Sequence, residues 1–398
     1  MSAAGGRSIG VGLVGAGWMG ELHSAAYARV PYHYPDAAGR ARLVIVADES
    51  EERARAAAAR LGYASWTTDW REVVEHPEVE AVSIATPNFL HREVALACVA
   101  AGRHFWGEKP LGRFPHETEE IAHAALESDV RTTVGFNYRH VPLVQHARRL
   151  VAEGAIGRPT HFRSAFLADY SADPRGALSW RFLREQAGLG VLADLGSHQV
   201  DLAMFLLGPI ASVTAQSATL IAERPTPQPG VSHFSTAEGG PSAAVENEDH
   251  VSALLRFASG VQGTLEMSRV AVGPHLRYAV EVNGTEGSLA WDFTRMNELL
   301  VYGPPSPTCE VGYTTVFAGP GHGEFSRFQP GRGVPMGYDD LKVIEAHGFL
   351  ESVADGRQRA PGVAEVAAAA RVLDAMARSF ESEAWEAVRG VATPAARG

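Results

Sequence analysis

The sequence predicts an α/β fold in two parts: an N-terminal Rossmann doubly wound parallel sheet, then a C-terminal α+β domain built on an open, mostly antiparallel sheet. Three observations predict it. A glycine-rich turn follows the first apolar strand, and further strands then alternate with helical patterns of ten to fifteen residues. Beyond residue 141 strand-like segments succeed one another with turn signals between them.

The first strand, Ile9-Gly10-Val11-Gly12-Leu13-Val14, runs into Gly15-Ala16-Gly17-Trp18-Met19-Gly20 and a helical pattern over 21–30. That spacing suits a dinucleotide. Gly15 permits a tight turn, Gly17 lets backbone amides approach a pyrophosphate, and Gly20 lets helix pack on strand. The next strand, 43–47, ends at Asp48, whose carboxylate can accept the ribose hydroxyls and repel a 2′-phosphate, as would Glu49. NAD is therefore the expected cofactor. Asp48 lies further along than usual, and the excess is assigned to a surface insertion over 31–39.

Helix is then expected over 51–61 and 69–74, strand over 64–66 and 79–85, and helix over 90–101. A strand from His104 runs into Gly107-Glu108-Lys109-Pro110, followed by a helix over 115–128 and a strand over 131–136. Pro87, Asn88, Glu108 and Lys109 follow strand ends, where ligands of such sheets bind. In the second part, helix is expected over 144–153 and 192–207, and strands over 160–167, 212–221, 250–257, 261–268, 278–282, 288–292 and 298–301. Two glycine- and proline-rich stretches, 224–247 and 303–337, read as long loops, at least one bordering the substrate or a subunit contact. Helices over 339–354 and 363–388 end the chain. The organisation expected is a disordered tail over 1–8, an NAD-binding domain over 9–140 and a substrate-binding and oligomerisation domain over 141–398.

Composition narrows the function. A formal charge of −11 argues against nucleic acid and anionic membrane, which leaves small molecules and other subunits as partners. Two cysteines, Cys98 and Cys309, suggest a reducing compartment, and no apolar run suits a signal peptide or a membrane span, so a cytoplasmic address is expected.

Asp194-Leu195-Gly196-Ser197-His198-Gln199-Val200-Asp201 carries candidate chemistry. On a helix Asp194 and His198 share a face, with Asp201 a turn further, so the imidazole is a plausible proton acceptor beside a carboxylate. Lys109, at a strand end, could hydrogen-bond a substrate hydroxyl and favour the developing alkoxide. The same spacing is open to a metal site or a structural Asp–His pair. Hydride transfer to NAD needs no metal, and none is expected.

Four ordered motifs, Gly15 to Gly20, Ala85-Thr86-Pro87-Asn88-x-x-His91, Glu108-Lys109-Pro110 and Asp194-x-Gly196-x-His198-x-x-Asp201, resemble the Gfo/Idh/MocA oxidoreductase family over nearly the whole chain. The resemblance implies a catalytic set of Lys109, Asp194 and His198, a cofactor site including Trp18, Met19, Thr86 and His91, and a second domain that forms homodimers or homotetramers. Gly135 to Arg139, Ala172 to Pro174, Leu178 to Phe182, Gly337-Tyr338 and Ile344 to His347 resemble its levoglucosan- and inositol-oxidising members most. Tyr138, Trp180 and Tyr338 then suit a sugar pocket, offering apolar faces with a polar tip. There are two departures. Trp106-Gly107 replaces a small, apolar pair and Ser197 replaces isoleucine or threonine, both read as reshaping the pocket.

The function expected is NAD-dependent oxidation of a secondary hydroxyl on a sugar, anhydrosugar, glycoside or inositol. The alternatives are an NAD-dependent glycosidase working by transient oxidation, and a non-catalytic NAD-binding sensor.

Overall fold

The computed structural model describes residues 6–226, 236, 241–303, 312–359 and 361–392. It divides into two compact units, Met1–His140 with Met336–Ala368, and Val141–Pro335 with Ala369–Gly398.

The first unit holds six parallel strands: β1 (Arg7–Val14), β2 (Gly39–Ala47), β3 (Ser65–Thr67), β4 (Ala81–Ile84), β5 (His104–Gly107) and β6 (Thr132–Val134), in the order β3-β2-β1-β4-β5-β6. The order reverses beside β1, which places a crevice at the carboxyl ends of β1 and β4. Ile9, Val11 and Leu13 on one face and Gly10, Gly12 and Val14 on the other are all buried, as a strand covered on both faces requires. Helices α1 (Trp18–His33), α2 (Glu51–Leu61), α3 (Trp70–Glu75), α4 (Asn88–Ala100) and α5 (Pro115–Leu126) connect the strands. Ser50 caps α2 by accepting from the Arg53 amide at 3.3 Å, and Gly62, at φ +87°, ends it.

Three expectations for this unit are corrected. Residues 31–39 are not a surface insertion: α1 continues through Pro31 to His33, and Val30, His33, Tyr34 and Ala37 are buried. Burial of these side chains offsets the hydrogen bond that Pro31 cannot donate. Arg7 and Ser8 are not tail but the start of β1, pairing with Gly39 and Arg40; residues 1–5 of that tail lie outside the described residues. The helix Tyr338–Asp355, assigned by sequence to the second domain, belongs to the first unit. Tyr34 stacks on His347 with ring centroids 3.7 Å apart, and Arg29 pairs with Asp340 at 2.5 Å.

The second unit carries a nine-stranded sheet of β7 (Pro159–Ala168), β8 (Ile210–Ala218), β11 (His250–Phe257), β12 (Gln262–Ser268), β13 (Leu276–Gly284), β14 (Ser288–Asp292), β15 (Glu298–Tyr302), β16 (Thr314–Phe317) and β17 (Glu386–Ala387). The chain also forms a separate ribbon, β9 (Glu223–Pro225) with β10 (Ser242–Ala244). The large sheet runs β16-β15-β14-β13-β7-β12-β11-β8-β17; β7 and β12 pair in parallel and the remaining pairs are antiparallel. Buried and exposed residues alternate along β12 from Gln262 to Met267, which gives it one covered face. The helix Ser197–Leu207 anchors to this sheet, where buried Gln199 donates to Ser164 Oγ at 2.9 Å and to the Glu266 carbonyl at 3.1 Å.

Here too the structure departs from expectation. β8 ends at Ala218, and the last helix, Val363–Ser382, stops short of 388 because Glu386 and Ala387 pair with Val213 and Ser212 as β17. The two long loops contain β9, β10, β16 and a short helix, Phe325–Phe328; their segments 227–235, 237–240 and 304–311, with Cys309, lie outside the described residues. Among the described residues no helix is long and apolar enough to cross a membrane.

Candidate functional site

In the first unit the glycines divide by what surrounds them. Gly15 has φ +96°, and a Cβ there would lie 2.6 Å from the Ala85 carbonyl; at Gly20 it would lie 2.0 Å from the Gly15 carbonyl. Those two glycines serve the fold. Gly17, the residue capping α1, has open space where its Cβ would be, with the unpaired amides of the first helical turn beside it. Trp18 is 63% exposed and its ring lies nearly parallel to Tyr338 at 6.2 Å; Met19 is half-buried.

Asp48, at the end of β2, closes on this turn. Its Oδ2 accepts the Ala16 amide at 3.1 Å, and its Oδ1 accepts from the Ser50 amide at 3.0 Å and Arg53 Nε at 2.9 Å. Arg53 also pairs with Glu49 at 3.1 Å. One guanidinium between two carboxylates leaves the patch negative, which suits ribose hydroxyls and disfavours a 2′-phosphate. A glycine whose missing side chain leaves a vacant cradle, a helix N-terminus and this carboxylate together fit the dinucleotide NAD.

Thr86, Pro87 and Asn88 leave β4 and enter α4. His91, on α4, is buried, with Nε2 2.8 Å from the Thr86 carbonyl and Nδ1 2.8 Å from the Pro110 carbonyl. The imidazole therefore sits between two strand-end loops, behind rather than facing the cradle, and in the neutral form that burial favours its one N–H donates to either carbonyl. Glu108 likewise points inward. Its carboxylate is buried against His23 Nε2 at 2.9 Å and Lys342 Nζ at 2.6 Å. Lys109 follows it, half-buried, ahead of a cis Pro110. Tyr138, in a short 3-10 turn after β6, is buried and lies 6.4 Å from Tyr338.

In the second unit the candidate helix is not uniform. Leu192–Gly196 forms a π-helical turn and the α-helix begins only at Ser197, where one regular helix over 192–207 is expected from the sequence. Such turns occur mostly as single turns inside α-helices, frequently at functional sites. Buried Glu248 supports the turn by accepting the Leu192 amide at 3.0 Å, and burial pushes its carboxyl up. Asp194 Oδ2 accepts the Tyr170 hydroxyl at 2.5 Å, while Arg181 lies 3.9 Å from Oδ1 and over the Trp180 ring at 4.6 Å. Burial, then the Asp194 charge, pushes the Tyr170 phenol well above its ordinary range, so it remains a donor. His198, buried, has its ring 6.3 Å from that of Phe166, and its carbonyl accepts the Tyr278 hydroxyl at 3.0 Å.

Sequence reasoning missed Tyr170, Arg181 and Lys342. Tyr170 stands 24 residues from Asp194, so no local pattern joins them. Lys342 left a usable trace: it lies four residues after Tyr338 and three before Glu345, on a helix face whose neighbours Leu341, Val343 and Ala346 are buried. The departures at Trp106 and Ser197 are also relocated. Trp106 is fully buried and stacks on His23, and Ser197 is buried. Among the described residues no group of three or more His, Cys, Asp or Glu side chains is arranged to hold a metal ion.

Comparison with known proteins finds matches to both parts of the chain. The oxidoreductase family with an NAD-binding Rossmann fold matches residues 9–136, and the GFO/IDH/MocA C-terminal domain matches residues 144–290. Levoglucosan dehydrogenase of Pseudarthrobacter phenanthrenivorans is 38% identical over 95% of this chain and 98% of its own. The NAD(+)-dependent scyllo-inositol 2-dehydrogenase of Bacillus subtilis is 30% identical over 63% of this chain and 66% of its own. A solved levoglucosan dehydrogenase in complex with NADH and levoglucosan superposes with a TM-score of 0.91 at 36% identity, covering 96% of this chain and all of that one. With both of its domains matched and a relative aligned along almost its full length, the chain belongs to the GFO/IDH/MocA family of NAD-binding oxidoreductases.

Proposed function

We propose that this enzyme oxidises a secondary hydroxyl of a cyclic polyol: a sugar, an anhydrosugar such as levoglucosan, a glycoside or an inositol. The observation that carries the reading is the Asp194 carboxylate, clamped by the Tyr170 hydroxyl at 2.5 Å on a π-turn that leads directly into His198. Its relatives act on compounds of this class by name, including levoglucosan and scyllo-inositol.

In this reading Gly17, Trp18, Met19, Asp48, Thr86, Pro87 and Asn88 hold NAD, which when bound supplies the hydride acceptor, on a turn that Gly15 and Gly20 shape. His91 and Glu108 support those loops. His198 accepts the hydroxyl proton, and the Lys109 ammonium donates to the same oxygen, stabilising the negative charge that builds on it. Asp194 orients the histidine or the substrate. Tyr138, Trp180 and Tyr338 offer aromatic faces to the ring. The uncovered face of the nine-stranded sheet, where Leu254 is 50% exposed among Arg163, Gln216 and Glu281, supports assembly into a homodimer or homotetramer.

The test is NADH formation across inositols, pyranoses, anhydrosugars and glycosides. NADH accumulating in step with ketone supports the dehydrogenase. Sugar release without net NADH would favour a glycosidase, and NAD binding with no turnover on any of them a sensor.

A further inference from the structure

The buried ionic cluster behind Lys109 is unusual in its make-up. Lys342 is 1% exposed and its ammonium lies 2.6 Å from Glu108 Oε1 and 2.8 Å from Glu345 Oε2, both carboxylates buried as well. His23 approaches the same Glu108 oxygen at 2.9 Å. Trp106 forms the floor: the ammonium lies 5.5 Å from its ring centroid, His23 stacks on it at 3.5 Å, and Tyr27 meets it edge-on at 5.5 Å. Gly135 closes the last side, since a Cβ there would lie 2.6 Å from Glu108 Oε2.

Stability alone does not account for this arrangement. Apolar residues of similar volume commonly replace buried ion pairs at no loss of stability, so such a cluster is best explained by what it holds in place. What it holds is Glu108. The Glu108 amide bonds the Ile84 carbonyl at 2.9 Å, and the Pro110 carbonyl lies 2.8 Å from His91 Nδ1, so Lys109 stands on a peptide held on both sides.

We propose that Lys342 is a positioning residue: by clamping the Glu108 carboxylate over Trp106 it fixes the backbone from which Lys109 presents its ammonium. The proposal rests on Lys109 being the group that binds the substrate oxygen. It also gives Trp106 its reason, since a small residue there would leave the ammonium without a floor and His23 without a stacking partner.

The test is Lys342→Met in the full-length enzyme. The expected result is a kcat at least tenfold lower, NADH affinity within threefold of the parent by fluorescence titration, and a crystal structure in which the Glu108 and Lys109 side chains have moved. The pH profile of kcat/KM should gain an acid limb, because Glu108 then lacks its counter-ion while it still meets His23, His91 and Tyr338 and lies beside Glu345, which shared that ammonium. Parent-like turnover and pH profile overturn the proposal, as does loss of NADH binding together with turnover. Should Lys342→Met not fold, Glu108→Gln keeps the shape and removes the charge: lower kcat with NADH binding intact supports the proposal, and unchanged kcat overturns it. Lys109→Ala separates the two layers. Full turnover in that variant sinks the role of Lys109 itself, whereas its loss beside an active Lys342→Met sinks only the positioning role.

Discussion

Tyr170 donates its hydroxyl to Asp194 Oδ2 at 2.5 Å, and the phenol is held protonated by burial and by the carboxylate it serves. One oxygen of Asp194 is thereby engaged before any substrate arrives. Hydrogen bonds to charged groups contribute about 1.5–3 kcal/mol, so Tyr170→Phe should lower kcat/KM by roughly 10- to 150-fold with a small change in melting temperature. Steady-state kinetics beside a thermal melt will read both. A parent-like kcat/KM would remove Asp194 positioning from the account.

His198→Ala and Lys109→Ala should each lower kcat by about 100-fold or more while NADH affinity stays within a few-fold, since general-base removal typically costs 10²–10⁴. Fluorescence titration and single-turnover kinetics separate the two quantities. Near-full activity in both variants would end the mechanism.

The glycine turn offers a contrast between neighbours. Gly20→Ala places a methyl against the Gly15 carbonyl and should destabilise the fold by about 1–3 kcal/mol. Gly17→Ala meets no protein atom, so its melting temperature should match the parent while NADH affinity falls about tenfold or more. Equal NADH affinity in Gly17→Ala and the parent would show that the cradle lies elsewhere.

Asp48→Ser should raise the NADP-to-NAD ratio of kcat/KM by about tenfold or more, because it removes the carboxylate that repels a 2′-phosphate and releases Arg53 from one of its two partners. Initial rates with the two cofactors decide it. An unchanged ratio would assign cofactor choice to other residues.

Acid should weaken the first unit through groups that titrate in one direction. Burial lowers His23 to about 4, and burial with the nearby Arg139 and Lys342 charges lowers His140 to about 3. Both stay neutral in the fold while the unfolded chain takes up protons near pH 6.5, so stability is lost as pH falls from there toward the folded values. Each contributes a loss of about 2 kcal/mol between pH 7 and 5. Burial alone would raise Glu108, but Lys342 and His23 outweigh it and hold the carboxyl well below its ordinary 4.5, which adds a loss below that pH. Urea unfolding at stepped pH values should show this slope. His140→Phe, which removes a buried Nε2 lacking any hydrogen-bond partner, should take about 2 kcal/mol out of the loss between pH 7 and 5, leaving the part due to His23, His91 and His104. An unaltered slope would assign the acid sensitivity elsewhere.

The dinucleotide turn and the strands around it are legible in the chain because each rests on local chemistry: a glycine spacing, an apolar run, a carboxylate at a strand end. What escapes is non-local. Pro31 reads as the end of a helix, and only the burial of Val30, Tyr34 and Ala37 explains why α1 continues through it. Asp194 and His198 are found by spacing, yet the spacing gives no sign that Asp194 sits on a π-turn or that Tyr170 reaches it. Lys342 and Glu108 meet across 234 residues, a distance over which periodicity carries no information.

The return of Tyr338–Asp355 to the first unit bears on how this protein is made. A nascent chain that has just delivered β6 already contains the cradle and Glu108, but the cation that Glu108 needs is not yet synthesised. Until the ribosome reaches Lys342 the early body lacks the cation for Glu108 and the cover over Tyr34, so vectorial synthesis should leave it loosely ordered until residues 141–335 and the helix after them have emerged.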